Sequence, residues 1–208
     1  SWAAFGSLNY TVSEKLKLRA GLRYTSDQKD FSARRVEATT AGPFVINNDS
    51  NNVSWDLSGT YALDKNTNLF ARIATGYRAP SMQGRLNGLA DRPSFADAEK
   101  ALSYEAGIKQ ELFDRRARVS ASVFQYRVND KQLTAGSGVI NMNQLINADK
   151  VTGQGVELDL QAVLSDSLRM TLGGSYNDTE IKDGGLFVQQ CGNFANTGGL
   201  AGCTVTDP

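Results

Sequence analysis

From Asn68 to Arg78 the chain alternates. Leu69, Ala71, Ile73, Thr75 and Tyr77 fall on one side of an extended chain, and Phe70, Arg72, Ala74, Gly76 and Arg78 on the other. A period of two marks a strand whose faces meet different surroundings. Pro80 stops it, because proline has no N–H for the ladder and pushes Ala79 toward extended or turn geometry. The same pattern recurs. Trp2–Val12 sets Trp2, Ala4, Leu8, Tyr10 and Val12 against Ser7, Asn9 and Thr11, with Phe5 out of place on the polar side. Leu16–Thr25 sets Leu16, Leu18, Ala20, Leu22 and Tyr24 against Lys17, Arg19 and Arg23. Val53–Tyr61, Leu102–Leu112, Val151–Leu164 and Leu168–Tyr176 follow the same rule. Arg116–Asn129 begins with Ala117, Val119, Ala121 and Val123 on the apolar side, and then Phe124, Tyr126 and Val128 appear on the other parity. A bulge that shifts the register, or a strand that has left its apolar surroundings, would each account for this.

Eight strands in four hairpins result. Their turns, such as Ser13–Lys15, Asp64–Thr67 and Ser165–Ser167, are short. The opposite connections, Ser26–Asn52, Pro80 to about Ala101, and Lys131–Lys150, are far above ordinary loop lengths. Short turns at one end, long loops at the other and strands of ~10 residues are the marks of an outer-membrane barrel. Tyr24, Trp55, Tyr77, Tyr104 and Tyr176 fall at the long-loop ends of the apolar faces, and Tyr10 and Tyr61 at the short-turn ends. Two aromatic levels separated by aliphatics match two interfacial girdles. A soluble β-sandwich with aromatics in its core is the alternative. It would place Arg19, Arg72, Glu105, Lys109, Glu157 and Asp159 on its solvent side and would ask for shorter loops.

Composition sharpens this picture. The 208 residues suit one domain, and the formal net charge of +0 gives no hint of a nucleic-acid partner. Histidine is absent, which removes the commonest general base and rules out Ser/His or Cys/His catalysis. No apolar run is long enough for a transmembrane helix, and no signal peptide opens the chain. The chain opens in what reads as mid-strand, so it is expected to be a piece of a larger wall. Glu157 and Asp159 share one strand face and fit a hydrated charge ladder better than a glycosidase pair, which flanks a substrate from separate strands. Gly136-Ser137-Gly138 and Gly153-Gln154-Gly155 lack the strand–loop–helix setting of a phosphate loop. No catalytic residue, metal ligand set or cofactor is expected. Cys191 and Cys203 sit in one Gly-rich polar segment. A loop-closing disulfide in an oxidising compartment suits them better than zinc, with two free thiols as the alternative.

Beyond periodicity, GYRAPSMQGRL (Gly76–Leu86), with Tyr77-Arg78-Ala79-Pro80 at its centre, resembles the strand-to-loop segment of TonB-dependent outer-membrane receptors. SYEAGIKQELFDRRARVSASVFQYRVND (Ser103–Asp130) resembles the next hairpin of that family and GQGVELDL (Gly153–Leu160) the one after. The resemblance implies an all-β, antiparallel up-and-down transmembrane barrel of about twenty-two strands, too wide for eight strands to close. Residues 1–208 would then be a partial barrel domain without the plug domain or the final strands. It further implies a receptor in the outer membrane of a Gram-negative bacterium, in contact with outer-membrane lipid. Such a receptor would take up a ferric siderophore or similar iron complex, driven by the TonB–ExbB–ExbD system through an N-terminal region. A passive porin or a small anchoring barrel is the other reading. Arg78, Arg85 and Arg92 are the candidate ligand-binding residues at the mouth, since positive charge in a concave opening steers anions. For Arg78 and Arg85 the competing reading is structural, pairing with a carboxylate of the wall or plug.

Overall fold

The computed structural model describes residues 1–33, 44–84, 93–136 and 143–186. Ten strands run in order: β1 (Trp2–Thr11), β2 (Leu16–Ala33), β3 (Phe44–Ala62), β4 (Thr67–Arg78), β5 (Ser81–Gln83), β6 (Ser94–Ala96), β7 (Glu99–Leu112), β8 (Ala117–Gly136), β9 (Asn143–Ser165) and β10 (Leu168–Ile181). Eight form one antiparallel sheet in the order β1-β2-β3-β4-β7-β8-β9-β10, and β5 pairs with β6 apart from it. Every neighbour in the large sheet follows in the chain, apart from the step from β4 to β7 that the small hairpin interrupts. Among the described residues β1 pairs only with β2 and β10 only with β9. The sheet is therefore an open arc and not a closed eight-stranded barrel. Among the described residues the only other sheet is the small β5–β6 hairpin, too short to form a second sandwich layer, which removes the sandwich reading.

The short turns are tightly bonded. Val12 N donates to Leu16 O at 2.9 Å, Leu63 N to Thr67 O at 2.9 Å and Arg116 N to Phe113 O at 3.0 Å. In the last, Asp114 and Arg115 have φ of 51° and 69°. Left-handed conformation at both central positions matches the right-handed twist of the flanking strands.

The outward face carries the large apolar side chains, among them Leu22, Leu57, Leu69, Val123, Val156, Leu158 and Leu172, all exposed. The inward face is the more covered: along β3 the inward positions from Phe44 to Ser58 are half-buried and the outward ones exposed. Trp2 and Tyr24 pack on the outward face with centroids 5.2 Å apart, and Tyr24 Oη donates to Asn51 Oδ1 at 3.1 Å. On β1, Trp2 and Tyr10 bracket the apolar stretch. Their separation is roughly 26 Å along the strand, or roughly 20 Å in height at a ~40° tilt, close to the ~25 Å band of an outer-membrane barrel.

Two features depart from the sequence reading, and a third decides between its alternatives. The segments taken as loops continue as strand, so Ser26–Ala33 pairs with Phe44–Asn51 and Lys131–Gly136 with Asn143–Ala148. Polar and apolar residues are mixed on both faces of these segments, so alternation gives no signal there. The parity change in β8 has no bulge behind it, since the β7–β8 register is unbroken from Leu112 to Lys100. The outward positions become Gln125, Arg127 and Asn129, so the strand has risen out of its apolar surroundings, and Phe124 and Tyr126 face inward over glycines. Phe124 lies opposite Gly155 and Tyr126 opposite Gly153, where an added Cβ would collide with those rings. Phe70 covers Gly107 of β7 in the same way. Finally, Tyr77 does not join the outward girdle. The β3–β4 ladder ends at Ala74, the Thr75 hydroxyl donates to Trp55 O at 3.1 Å and accepts from Trp55 N at 2.7 Å, and the Tyr77 hydroxyl lies 2.7 Å from Ser50 Oγ. Tyr77 closes the seam where β4 parts from β3.

Candidate ligand path along the inward face and mouth

The inward face is a wall of paired and unpaired charge. Near the short turns, Glu111 accepts from Arg118 Nη2 at 3.0 Å and meets Arg115 Nε at 3.2 Å. Lys109 Nζ stands 5.0 Å from the centre of the Phe70 ring. Higher up, Asp56 lies opposite Gly21 on β2 and Ala74 on β4. Its carboxylate occupies the room that glycine leaves, since a Cβ at Gly21 would sit 2.6 Å from Asp56 Oδ2. Arg19 and Arg23 flank Gly21 on β2, and Arg72 is the next inward residue of β4. Arg19, Arg23, Asp56 and Arg72 line a recess of about 350 Å³, in which Asp56 Oδ2 has no hydrogen-bond partner. Three arginines around one aspartate leave the recess positive. Glu157 and Asp159 face Ser122 and Ser120 across the β8–β9 ladder.

The mouth is organised by Gln132, only 6% exposed. Its Nε2 donates to Ala79 O at 2.9 Å and to Asp97 O at 2.8 Å, its Oε1 accepts from Ser81 Oγ at 2.6 Å, and its backbone N donates to Glu99 Oε2 at 3.1 Å. Asp130, with φ of 53°, turns β8 just before it. Asn147 on β9 makes the second tie: its Oδ1 accepts from Asp97 N at 2.7 Å and its Nδ2 donates to Asp130 O at 2.7 Å. Leu145 N donates to Ser94 Oγ at 2.9 Å. Across the opening, Lys29 Nζ donates to Pro80 O at 2.6 Å. The β5–β6 hairpin is thus pinned against the extended β8–β9 arm, with Ala96 and Ala148 wholly buried between them.

Arg78 stands at the edge of this knot. It lies opposite Glu99 across the β4–β7 ladder, with Nη1 4.0 Å from Glu99 Oε2, and Lys131 Nζ holds the other oxygen at 3.0 Å. Arg78 stays 60% exposed while Glu99 is 13% exposed. The guanidinium is therefore steered by the wall carboxylate and still open to the mouth. Arg85, Arg92, Cys191 and Cys203 lie outside the described residues. Gln132 and Asn147 were not legible as site residues: their partners are 17–53 positions away in the chain, and no local motif announces them. Among the described residues no cluster of His, Cys, Asp or Glu could hold a metal ion.

Comparison with known proteins agrees with this architecture. The family model described as TonB dependent receptor-like, beta-barrel, matches residues 1–199. The pesticin receptor of Yersinia enterocolitica is 27% identical over 208 residues, covering 95% of this chain and 30% of that protein. The solved ferric yersiniabactin uptake receptor of Yersinia pestis superposes with a TM-score of 0.66 at 23% identity, over 86% of this chain and 27% of its own. The copper transporter OprC superposes with a TM-score of 0.68 at 18% identity, over 87% and 29%. The chain spans about 30% of the length of the curated pesticin receptors it matches.

Proposed function

We propose, from the premise that this chain belongs to the TonB-dependent receptor β-barrel family, that it is the wall of an outer-membrane receptor for an anionic ferric chelate. The single observation behind this reading is the match over 95% of the chain to a protein named as a pesticin receptor. A second relative, 23% identical over 184 residues, is named a probable TonB-dependent siderophore receptor, from Acinetobacter baumannii. The geometry is compatible in a specific way. The inward recess around Arg72 is positive, and Arg78 is presented at the mouth; a concave positive surface raises the local concentration of anions. Arg85 and Arg92 are assigned to the same mouth on sequence grounds. The fold by itself does not choose the cargo, because a protein named as a copper transporter shares it at 18% identity.

In this reading residues 1–208 are a partial barrel domain, with a plug and the remaining strands of an about twenty-two-stranded barrel supplied by the rest of the protein. Import is driven by the TonB–ExbB–ExbD system. The chain has no catalytic role: Glu111 is paired with arginines, Glu157 and Asp159 face serines, and histidine is absent. Cys191 and Cys203 close an external loop as a disulfide, which alkylation of outer-membrane material without reductant would test.

The deciding experiment deletes the full-length gene and compares growth on single iron sources, with and without a functional TonB. Loss of growth on one ferric chelate, reproduced by loss of TonB, is expected. Uptake that survives loss of TonB would reject energy coupling in favour of a passive porin.

A further inference from the structure

The outward face of β7–β10 changes chemistry in register. Ala106, Val123, Val156 and Tyr176 stand in one row across the four strands. Two residues higher, Tyr104 shares its row with Gln125, Gln154 and, on β10, Asp178. Above these come Arg127 and then Lys100 and Lys150, the last two flanking Asn129. Across β7–β9 apolar, amide and cationic levels thus follow each other upward, while the neighbouring β10 carries Asp178 and Glu180 on the same face. Tyrosine marks the boundary between apolar interior and headgroups in a barrel wall. The cations begin directly above that boundary.

This is not the general character of the outer surface. The β2–β3 arm rises above the same girdle, and its outward positions are Ser26, Gln28, Asp30, Asn51, Asp49 and Asn47. It carries two acids and no cation there. On the β7–β10 side Lys182 is answered by Glu180 at 3.1 Å, whereas among the described residues Lys100, Arg127 and Lys150 have no ion-pair partner. Strands lie ~4.8 Å apart, so Lys100 and Lys150, two strands apart, are roughly 10 Å from each other with Arg127 one level lower between them. A triangle of that size fits one phosphate group, or two adjoining ones.

We propose that Lys100, Arg127 and Lys150 form a docking surface for phosphate-bearing headgroups of outer-leaflet lipid. Basic side chains just beyond an apolar band attract anionic headgroups, each cation strengthening the association about fivefold. The lipid partner is chosen over a soluble anion because the surface faces away from the lumen and stands on the lipid-facing band itself. The ladder fixes the three backbone positions, so that the order lost on binding is confined to the side chains. The site would hold the receptor at one height and one rotation against neighbouring lipids, on the side opposite the acidic arm.

The test uses the full-length receptor in phosphatidylcholine nanodiscs containing a bis-phosphorylated glycolipid, with retained lipid counted by native mass spectrometry. Wild type is expected to retain the phosphorylated lipid over phosphatidylcholine. Arg127→Gln should lower that preference about fivefold, and the triple variant Lys100→Gln/Arg127→Gln/Lys150→Gln should bring it close to parity. Asp30→Asn/Asp49→Asn should leave it unchanged. Heat-modifiable migration establishes that each variant is folded. Equal retention by wild type and the triple variant overturns the proposal. So does displacement of the lipid by millimolar inorganic phosphate, which would point to a soluble-anion site.

Discussion

The wall at the level of the apolar band and the mouth above it are built from the same strands, yet they are held by different means. In the band, each residue is placed by its face. Leu57 stands outward between Ala20 and Ile73, and Ser58, one residue on, stands inward between Arg19 and Arg72. In the mouth, position in the strand decides little. Gln132 is fixed by Ala79, Ser81, Asp97 and Glu99, from two other parts of the chain. The band is specified by a repeating pattern that tolerates exchange within a class; the mouth depends on individual hydrogen bonds, each needing one side chain at one place.

The largest effect should come from violating the band. Leu57→Arg in the full-length receptor is expected to cost roughly 2–4 kcal/mol in bilayer refolding, if the position lies near the midplane. Ser58→Arg, facing the lumen, should cost much less. Equal costs would mean that the two faces are not what the exposure pattern says. In the mouth, Gln132→Ala leaves Ala79 O and the Ser81 hydroxyl without their partner and Asp97 O with Asn147 Nδ2 alone at 3.1 Å, a loss of roughly 1–3 kcal/mol. That loss should stay local. Hydrogen exchange or limited proteolysis should show the β5–β6 segment released while barrel migration on gels is unchanged; joint loss of both would show that the mouth holds up the wall.

Between the two regions lie the inward aromatics, which give a sharper comparison. Gly153→Ala sets a Cβ against the Tyr126 ring, and Gly155→Ala sets one against both the Phe124 ring and the backbone oxygen of Tyr176. Both changes should destabilise by about 1–3 kcal/mol through overpacking. Tyr126→Ala should restore Gly153→Ala, because the obstacle is a side chain. Phe124→Ala should not restore Gly155→Ala, because a backbone atom remains in the way. Refolding of the four single and two double variants as two double-mutant cycles checks this, and rescue of both would show that the β9–β10 spacing yields.

What the sequence made legible follows the same division. The eight wall strands, their order and the inward or outward sense of residues such as Leu57, Arg72 and Glu105 came from alternation, because lipid and lumen impose opposite demands on adjacent residues. Pro80 as the end of β4 came from its missing donor. The upper halves of β2, β3, β8 and β9 did not, since polar and apolar residues mix on both faces there. Arg78 was legible as a mouth residue, but its neighbour Glu99 was placed in a loop, and the pairing needed the β4–β7 register. Gln132 and Asn147 were hidden because amides carry no pattern of their own; their role is set by carbonyls that only the folded chain brings near.

The opposite rim, at the short turns, should show the smallest effect. Asp64 is exposed and begins the turn into β4, with Asn66 N donating to its Oδ1 at 2.7 Å. That backbone hydrogen bond, then one from the Thr67 side chain, holds its carboxyl below the ordinary value, with Lys15 adding a minor attraction. A carboxyl whose pKa is lower in the folded chain binds protons less readily there than in the unfolded chain. Its contribution is therefore fully present above the unfolded pKa and is lost as pH falls through the folded one. Asp64→Asn keeps an acceptor for Asn66 N but removes the charge. At pH 7 the variant should be slightly less stable than wild type in bilayer refolding. The gap should close as the medium is acidified below the ordinary carboxylate range, where the wild-type carboxyl is itself neutral. A gap that stays constant with pH would mean that the turn is held by shape alone, and that this rim is indifferent to the charge of Asp64.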